Sequence, residues 1–345
     1  MTRNILSEIK KAALVGRGGA CFPVHTKWEA VKATKGKIKY LVVNGAEGEP
    51  GIYKDGYILE NYRKDLILGI KIASDFIKAD KIYIYLNLNF FNKYKQSLNR
   101  EAKKVGLSDK IIFILKPINS GYIAGEETTI LNIIEGKEIG PRIRPPFPTC
   151  EGLFGKPTLI HNIETLYNVS LVAQERYENK RFYSVNVINK NKGVYFLPSD
   201  LSIEEVLVKT NNYPSYDFFV QVGGDADGQV LNMNQLDSCV SGAGSITIHN
   251  LRNHNPEKLI KNWLKFFKDN SCGNCTPCRE GTYRLYELFE EQGIDMIRDP
   301  RVQDLCDNLY LSSFCALGSA VPNAFLSYLK NVYSPCNTCK SCKYD

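Results

Sequence analysis

Apolar positions recur at two spacings along the chain, and their alternation lays out its first half. Within 64–78, Leu66, Ile70, Ala73 and Ile77 fall on one face of a helix. Residues 39–43, 82–86 and 111–115 are short runs of Val, Ile, Leu and Tyr or Phe that read as strands, with a further helix through the nineties. That order predicts an α/β domain of parallel strands joined by crossover helices. The first sixteen residues, broken by Glu8, Lys10 and Lys11, read as an amphipathic helix. Another helix opens near Glu126 and ends near Gly136. The stretch 141–148 and the following 155–165 look too irregular for a core element and read as a linker or a ligand-bordering loop.

From about 182 to 249 the texture changes to short β-like runs broken by glycines, which predicts a separate small domain. The remainder is helical. Asn255-Pro256 starts a helix whose apolar face carries Leu259, Trp263, Phe266 and Phe267. A second helix runs through Leu285 and Phe289, and a third follows Asp299-Pro300 with Val302, Leu305 and Leu309 inward. The last covers 323–333. Four such helices form a small bundle.

Composition adds little to this picture until the cysteines. The 345 residues are 43% hydrophobic and 23% charged, as in an ordinary globular protein of two or three domains. No apolar run approaches the ~20 residues of a membrane helix, and the N-terminus lacks a signal-peptide core. The compartment expected is therefore cytosolic and reducing, where eleven cysteines suggest metal ligands rather than disulfides. The net charge of +7 is modest. Lys32, Lys35, Lys37 and Lys39 form its densest group, read as a solvated loop; no motif for nucleic acid accompanies it.

Cys272, Cys275 and Cys278 stand at i, i+3 and i+6, with Gly273 and Pro277 supplying the turn. Three cysteines at this spacing can close around one face of an iron–sulfur cube; structural zinc usually takes paired Cys-x-x-Cys knuckles, so the triple leans away from zinc, with buried or unpaired thiols as the plain alternative. Cys315 is the candidate fourth ligand, whereas Cys306 reads as core. Cys336, Cys339 and Cys342 repeat the spacing in the tail, a candidate second site lacking a fourth cysteine. Earlier in the chain, Gly16, Gly18 and Gly19 permit close approach to a phosphate or a flat ring, with Arg17 and Lys27 as counter-charges. Asn44, Glu47 and Glu49 follow a strand's carboxyl end, where open α/β sheets bind ligands. Glu126 and Glu127 are placed either to accept sugar hydroxyls or simply to cap their helix.

Taken in order, GRGGACFP (16–23) with Lys27-Trp28, NGAEGEPGIYKD (44–55), YIAGEET (122–128), RPPFP (144–148), GKPTLIHNIET (155–165) and SCGNCTPCREG (271–281) with SFCAL (313–317) resemble the NADH-binding flavoprotein subunit of respiratory complex I. That family includes the related subunits of NAD-linked hydrogenases and formate dehydrogenases. The resemblance covers roughly residues 5–330. It implies a Rossmann-like FMN and NADH domain over 1–180, a β-grasp domain over 181–250, a helical domain with a 4Fe–4S cluster over 251–333, and a Cys-rich tail over 334–345. It implies that Gly16, Arg17, Gly18, Gly19, Lys27, Asn44, Glu47, Tyr122, Gly125, Glu126 and Asn162 line the flavin. Phe22 and Phe147 would flank the adenine of NAD(H), Glu127 would accept ribose hydroxyls, and Glu47, Glu49 and Glu127 are the candidate catalytic carboxylates. Cys272, Cys275, Cys278 and Cys315 would ligate the cluster.

The activity implied is an NADH dehydrogenase (diaphorase), hydride passing from NADH to FMN and single electrons onward. The implied partners are a thioredoxin-like 2Fe–2S subunit and a larger redox subunit, in the cytoplasm or on the inner face of a membrane complex. The chain departs from the family pattern at Ala30, where a third adenine-site aromatic is usual, at Ala46, at Ala124 and at His161. Ala30, Ala46 and His161 motivate an alternative: a non-catalytic relay or assembly subunit that has lost NADH binding.

Overall fold

The computed structural model describes residues 4–187, 191–226 and 228–333. The chain divides into two units, Met1–Tyr183 with Phe196–Ser199, and Ser184–Tyr195 with Asp200–Asp345. No helix among the described residues is long and apolar enough to cross a membrane.

In the first unit, helices α1 (Ile5–Lys11) and α2 (Val24–Ala33) precede strand β1 (Tyr40–Gly45). There follow α3 (Lys54–Asn61), α4 (Arg63–Ile77), β2 (Lys81–Leu86), α5 (Leu88–Lys104), β3 (Ile111–Leu115), α6 (Glu127–Ile134), α7 (Pro148–Glu151), β4 (Thr158–Asn162) and α8 (Ile163–Ala173). The four strands form one sheet in the order β3-β2-β1-β4, every pair parallel. Val42, Tyr83, Tyr85 and Ile160 pack against Ile130 and Leu131 of α6. Leu41 and Val43 alternate to the other face of β1, and α4 and α8 also lie against this strand. These two helices approach so closely that a Cβ on Gly69 would overlap the Leu166 carbonyl.

The segment read as irregular contains β4, whose register Leu41↔Leu159 and Val43↔His161 sets it beside β1. Thr158, Leu159, Ile160 and His161 are all buried; a strand covered on both faces shows no alternation, and five residues are too few to declare a period. Lys39 does not belong to a solvated loop. It is buried, and its Nζ donates to the carbonyls of Val31 (2.6 Å) and Lys32 (2.9 Å), closing the carboxyl end of α2.

Strands β5 (Lys180–Asn186) and β6 (Gly193–Pro198) lead into α9 (Ile203–Lys209), β7 (Phe218–Val222), β8 (Gln229–Asn232) and β9 (Ser245–Asn250). These strands form a second, mixed sheet ordered β6-β5-β9-β7-β8. The second unit then continues through α10 (Pro256–Asn270), α11 (Thr276–Gln292), α12 (Pro300–Ser312) and α13 (Ala316–Asn331). An exposed edge at β8 is avoided by α13: Ser327 Oγ accepts from Val230 N–H at 2.8 Å and Asn331 Nδ2 donates to Val230 O at 2.7 Å. The last helix begins seven residues before the expected 323. Pro322 lies inside it, although proline ordinarily marks a boundary; here the buried Leu317, Val321 and Phe325 hold both halves on one apolar face.

Gly69→Ala should destabilise the first unit by about 3 kcal/mol, because α4 and α8 must move apart to admit the methyl group. Chemical denaturation measures this. Parental stability in the variant would show that the close helix contact is not a constraint.

Candidate functional site

The carboxyl ends of β1 and β4 lie side by side where the strand order reverses, the place at which open α/β sheets take ligands. Asn44 and Asn162 stand at these strand ends. Asn44 Nδ2 donates to the Gly125 carbonyl (2.9 Å) and its Oδ1 accepts from Ala46 N–H (3.0 Å). Asn162 Oδ1 accepts from Lys54 Nζ (2.9 Å), and its Nδ2 donates to Asp55 Oδ2 (2.7 Å). Both amides are therefore held in one orientation.

Lys54 is the hub of this arrangement. Its ammonium is buried, 2.8 Å from Asp55 Oδ1 and 3.2 Å from Glu164 Oε2. Burial alone would discharge it, yet the three surrounding carboxylates, Asp55, Glu164 and Glu47, raise its pKa above the ordinary lysine value. Glu47 behaves oppositely. Burial, followed by the charge of Asp55, pushes its carboxyl up to about 7, despite Lys54 and the N–H donors of Asp55 (2.8 Å) and Gly56 (3.2 Å). Lys54, Asp55 and Glu164 stood inside the sequence motifs without being singled out. Their one signal was two charges directly following Ile52-Tyr53, which nothing local marks as buried.

The glycine loop closes beside this network. Gly16 N–H donates to Phe22 O (2.8 Å), Arg17 N–H donates to Thr165 Oγ1 (2.9 Å), and a Cβ on Gly18 would stand 3.4 Å from Asn162 Cβ. The Arg17 side chain is buried on Ser199 Oγ at 3.1 Å, and its Nε is left without a partner. Gly19 has φ +114° with open space around its missing Cβ. An orphaned guanidinium N–H and an unobstructed glycine turn beside the strand ends fit a phosphate-bearing flat ring such as FMN.

Glu126 takes the capping role for α6. Its Oε2 accepts from Thr128 N–H (2.9 Å) and Thr129 N–H (2.8 Å), while Oε1 meets Arg144 at 2.5 Å. Glu127 Oε2 is paired with Lys27 Nζ at 2.7 Å and its Oε1 lies 3.4 Å from Arg144. Lys27 is thus not a free counter-charge. Tyr122 donates to Glu49 Oε2 at 3.3 Å. Phe22 and Phe147 are 47% and 55% exposed, available as flat surfaces. His161, a departure from the family pattern, is buried and accepts from Trp28 Nε1 at 2.9 Å. Burial first, and then the nearby Lys27 charge, push its pKa down to about 3. It is a neutral core histidine at the back of the sheet end.

In the second unit, Cys272 and Cys275 lie on the loop before α11, Cys278 in its first turn, and Cys315 at the start of α13. Burial, opposed by the Ser271 bond and joined by the nearby Cys275, Cys315 and Cys272, pushes the Cys278 thiol up to about 11. Gly318 makes the gathering possible: a Cβ there would stand 3.0 Å from Cys278 Cβ. Cys275 and Cys315 are the N-caps of α11 and α13, neither making a side-chain cap. Two helix N-termini therefore point their positive ends at this spot, which suits an anionic thiolate cluster. Among the described residues no three His, Cys, Asp or Glu side chains gather tightly enough to hold a single ion, whereas a cube takes its four thiolates on four separate irons. Cys306 is buried in the core with Val302 and Leu309, its thiol pushed up to about 12 by burial. Cys336, Cys339 and Cys342 lie outside the described residues.

Residues 9–171 match the family profile described as the Nuo51 FMN-binding domain, and residues 258–339 match the NADH-ubiquinone oxidoreductase-F iron-sulfur binding region. The F subunit of NADH-quinone oxidoreductase of Streptomyces coelicolor is 30% identical over 381 residues, covering 99% of this chain and 85% of that protein. Its counterpart in Aquifex aeolicus is 31% identical over 347 residues, covering 92% and 81%. The fold is similar to that of an NAD+-reducing NiFe-hydrogenase in its H2-reduced crystal structure, with TM-score 0.87, 27% identity, and coverage of 96% of this chain and 61% of that one. The chain thus spans about three-fifths of the hydrogenase chain it matches. It belongs to the family of NADH-quinone oxidoreductase F subunits.

Two outcomes follow from the buried groups. Lys54→Met leaves Asp55 and Glu164 buried without their cation and should cost about 3–5 kcal/mol at pH 7; unchanged stability in denaturant unfolding would contradict the hub role. His161 has a folded pKa below its ordinary 6.5, so between about pH 6.5 and 3 the unfolded chain binds a proton that the folded one does not. Its stabilising share is full above pH 6.5 and falls on acidification, by roughly 2 kcal/mol at pH 5. Glu47 opposes this, its raised pKa favouring the folded state as pH falls. The test is therefore the difference between parent and His161→Gln profiles, which should narrow as the pH is lowered; parallel profiles would sink the assignment.

Proposed function

We propose that this chain is the NADH-oxidising flavoprotein of a multisubunit redox assembly, with FMN in the first unit and a 4Fe–4S cluster on Cys272, Cys275, Cys278 and Cys315. FMN supplies hydride acceptance from NADH and release of electrons one at a time, and the cluster carries them onward. The observation that carries the reading is the pair Asn44 and Asn162, at the strand-order reversal beside the glycine loop, with Asn162 locked by Lys54 and Asp55 and Asn44 by the backbone of Ala46 and Gly125.

The chain's own groups have separable tasks. Asn44 and Asn162 present fixed polar edges, Gly16, Gly18 and Gly19 let the ring and phosphate approach the backbone, and Arg17 Nε is the buried donor awaiting an acceptor. Glu47, its carboxyl pushed up to about 7 by burial and the charge of Asp55, is held below the strand ends by the N–H groups of Asp55 and Gly56. Phe22 and Phe147 would flank the adenine, Glu127, already paired with Lys27, would accept ribose hydroxyls, and Glu49 is steadied by Tyr122. The division 1–180, 181–250 and 251–333 gives each cofactor its own scaffold, and the partners are a 2Fe–2S subunit and a larger redox subunit.

Anaerobic titration with NADH tests the reading. The flavin absorbance should bleach, and the reduced-state paramagnetic signal of the cluster should appear. Cys275→Ser should lose that signal while keeping the flavin and its bleaching. A flavin that ignores NADH would leave the relay subunit in place of the enzyme.

A further inference from the structure

Two serine hydroxyls beside Cys278 have no task in binding the nucleotide or ligating iron. Ser271 Oγ lies 3.4 Å from Cys278 Sγ. It also accepts from Gly273 N–H at 3.4 Å, which leaves its own proton free. A cluster-ligating cysteine is a thiolate and only accepts, so with the cluster bound the Ser271 hydroxyl would be the donor to sulfur.

Ser313 approaches from the opposite segment, two residues before Cys315. Its Oγ is buried and has no partner among the described residues. It crowds the point where a Cβ of Gly318 would stand, a point 3.0 Å from Cys278 Cβ. A buried hydroxyl left unpaired is costly, and Ser313 Oγ shares with Cys278 Cβ the space that a Cβ on Gly318 would fill. Neighbouring Thr282 shows the contrast, for its Oγ1 already donates to the Cys278 carbonyl at 2.7 Å.

We propose that Ser271 and Ser313 donate hydrogen bonds to the sulfurs around Cys278 and thereby raise the reduction potential of the cluster. The inference rests on the cluster assignment above. The physical reason is charge: one-electron reduction adds a negative charge to the cluster, so a donor to its sulfur stabilises the reduced form more than the oxidised one. Both serines are positioning residues. Neither ligates iron, and each acts through a sulfur that does.

The experiment is a redox titration of the full chain, loaded with its cluster, followed by the paramagnetic signal at controlled potential. Ser271→Ala and Ser313→Ala should each lower the reduced-to-oxidised ratio at fixed potential by roughly three- to tenfold, equivalent to about 28–59 mV for one electron. Ser271→Thr, which keeps the hydroxyl, should restore the parental midpoint, and Thr282→Val should leave it unmoved. Alanine variants with four irons and the parental midpoint would overturn the inference while leaving the cluster intact. A parent chain with no iron-based signal would instead overturn the cluster assignment. Ser271 sits on the half-buried loop, so Ser271→Ala decides alone if Ser313→Ala fails to keep its iron.

Discussion

The first unit depends on one buried cation. Lys54 draws together residues from α3, the end of β4 and the first turn of α8, with Asp55, Asn162 and Glu164 all within 3.2 Å of its ammonium. Taking an ammonium out of water costs several kcal/mol, recovered only when every surrounding group is in place. The network therefore tolerates one arrangement, and that arrangement fixes Asn162, against which the glycine loop and the end of β1 are set. A hydrophobic core would hold the strands equally well, but it would not orient an amide at the mouth of the sheet.

The cysteine region solves a related problem with close packing in place of charge. Gly318 lets α13 approach Cys278, and Gly281 lies against Leu309, where a Cβ would stand 2.8 Å from its Cγ. These approaches bring a cysteine of α11 and the N-cap cysteine of α13 together across the intervening α12. Cysteines separated by some forty residues converge because two helix pairs lack the side chains that would keep them apart. The same N-termini supply partial positive charge to an anionic group, so packing and electrostatics act on the same spot.

The departures that raised the relay alternative also acquire physical content. His161 packs as a neutral acceptor for Trp28 behind the sheet end, and Ala46 uses its backbone N–H to lock Asn44. Neither residue contradicts nucleotide binding. Each is accommodated by a local bond that a pattern of residue types does not show.

The alternation of strand and helix periods, the i, i+3, i+6 cysteines and the ordered motifs were legible in the sequence because each rests on spacing that the chain carries locally. The parallel sheet, the four-cysteine set and the family followed from them. Strand β4 and the early start of α13 were not legible, since a fully buried five-residue strand has no period and a proline usually ends a helix. The burial of Lys39 and Lys54 was equally hidden, because local sequence reports a charge but not its solvent exposure. Only the fold, by placing three carboxylates around Lys54 and two helix-end carbonyls on Lys39, decided that charges expected at the surface would sit inside and hold the site.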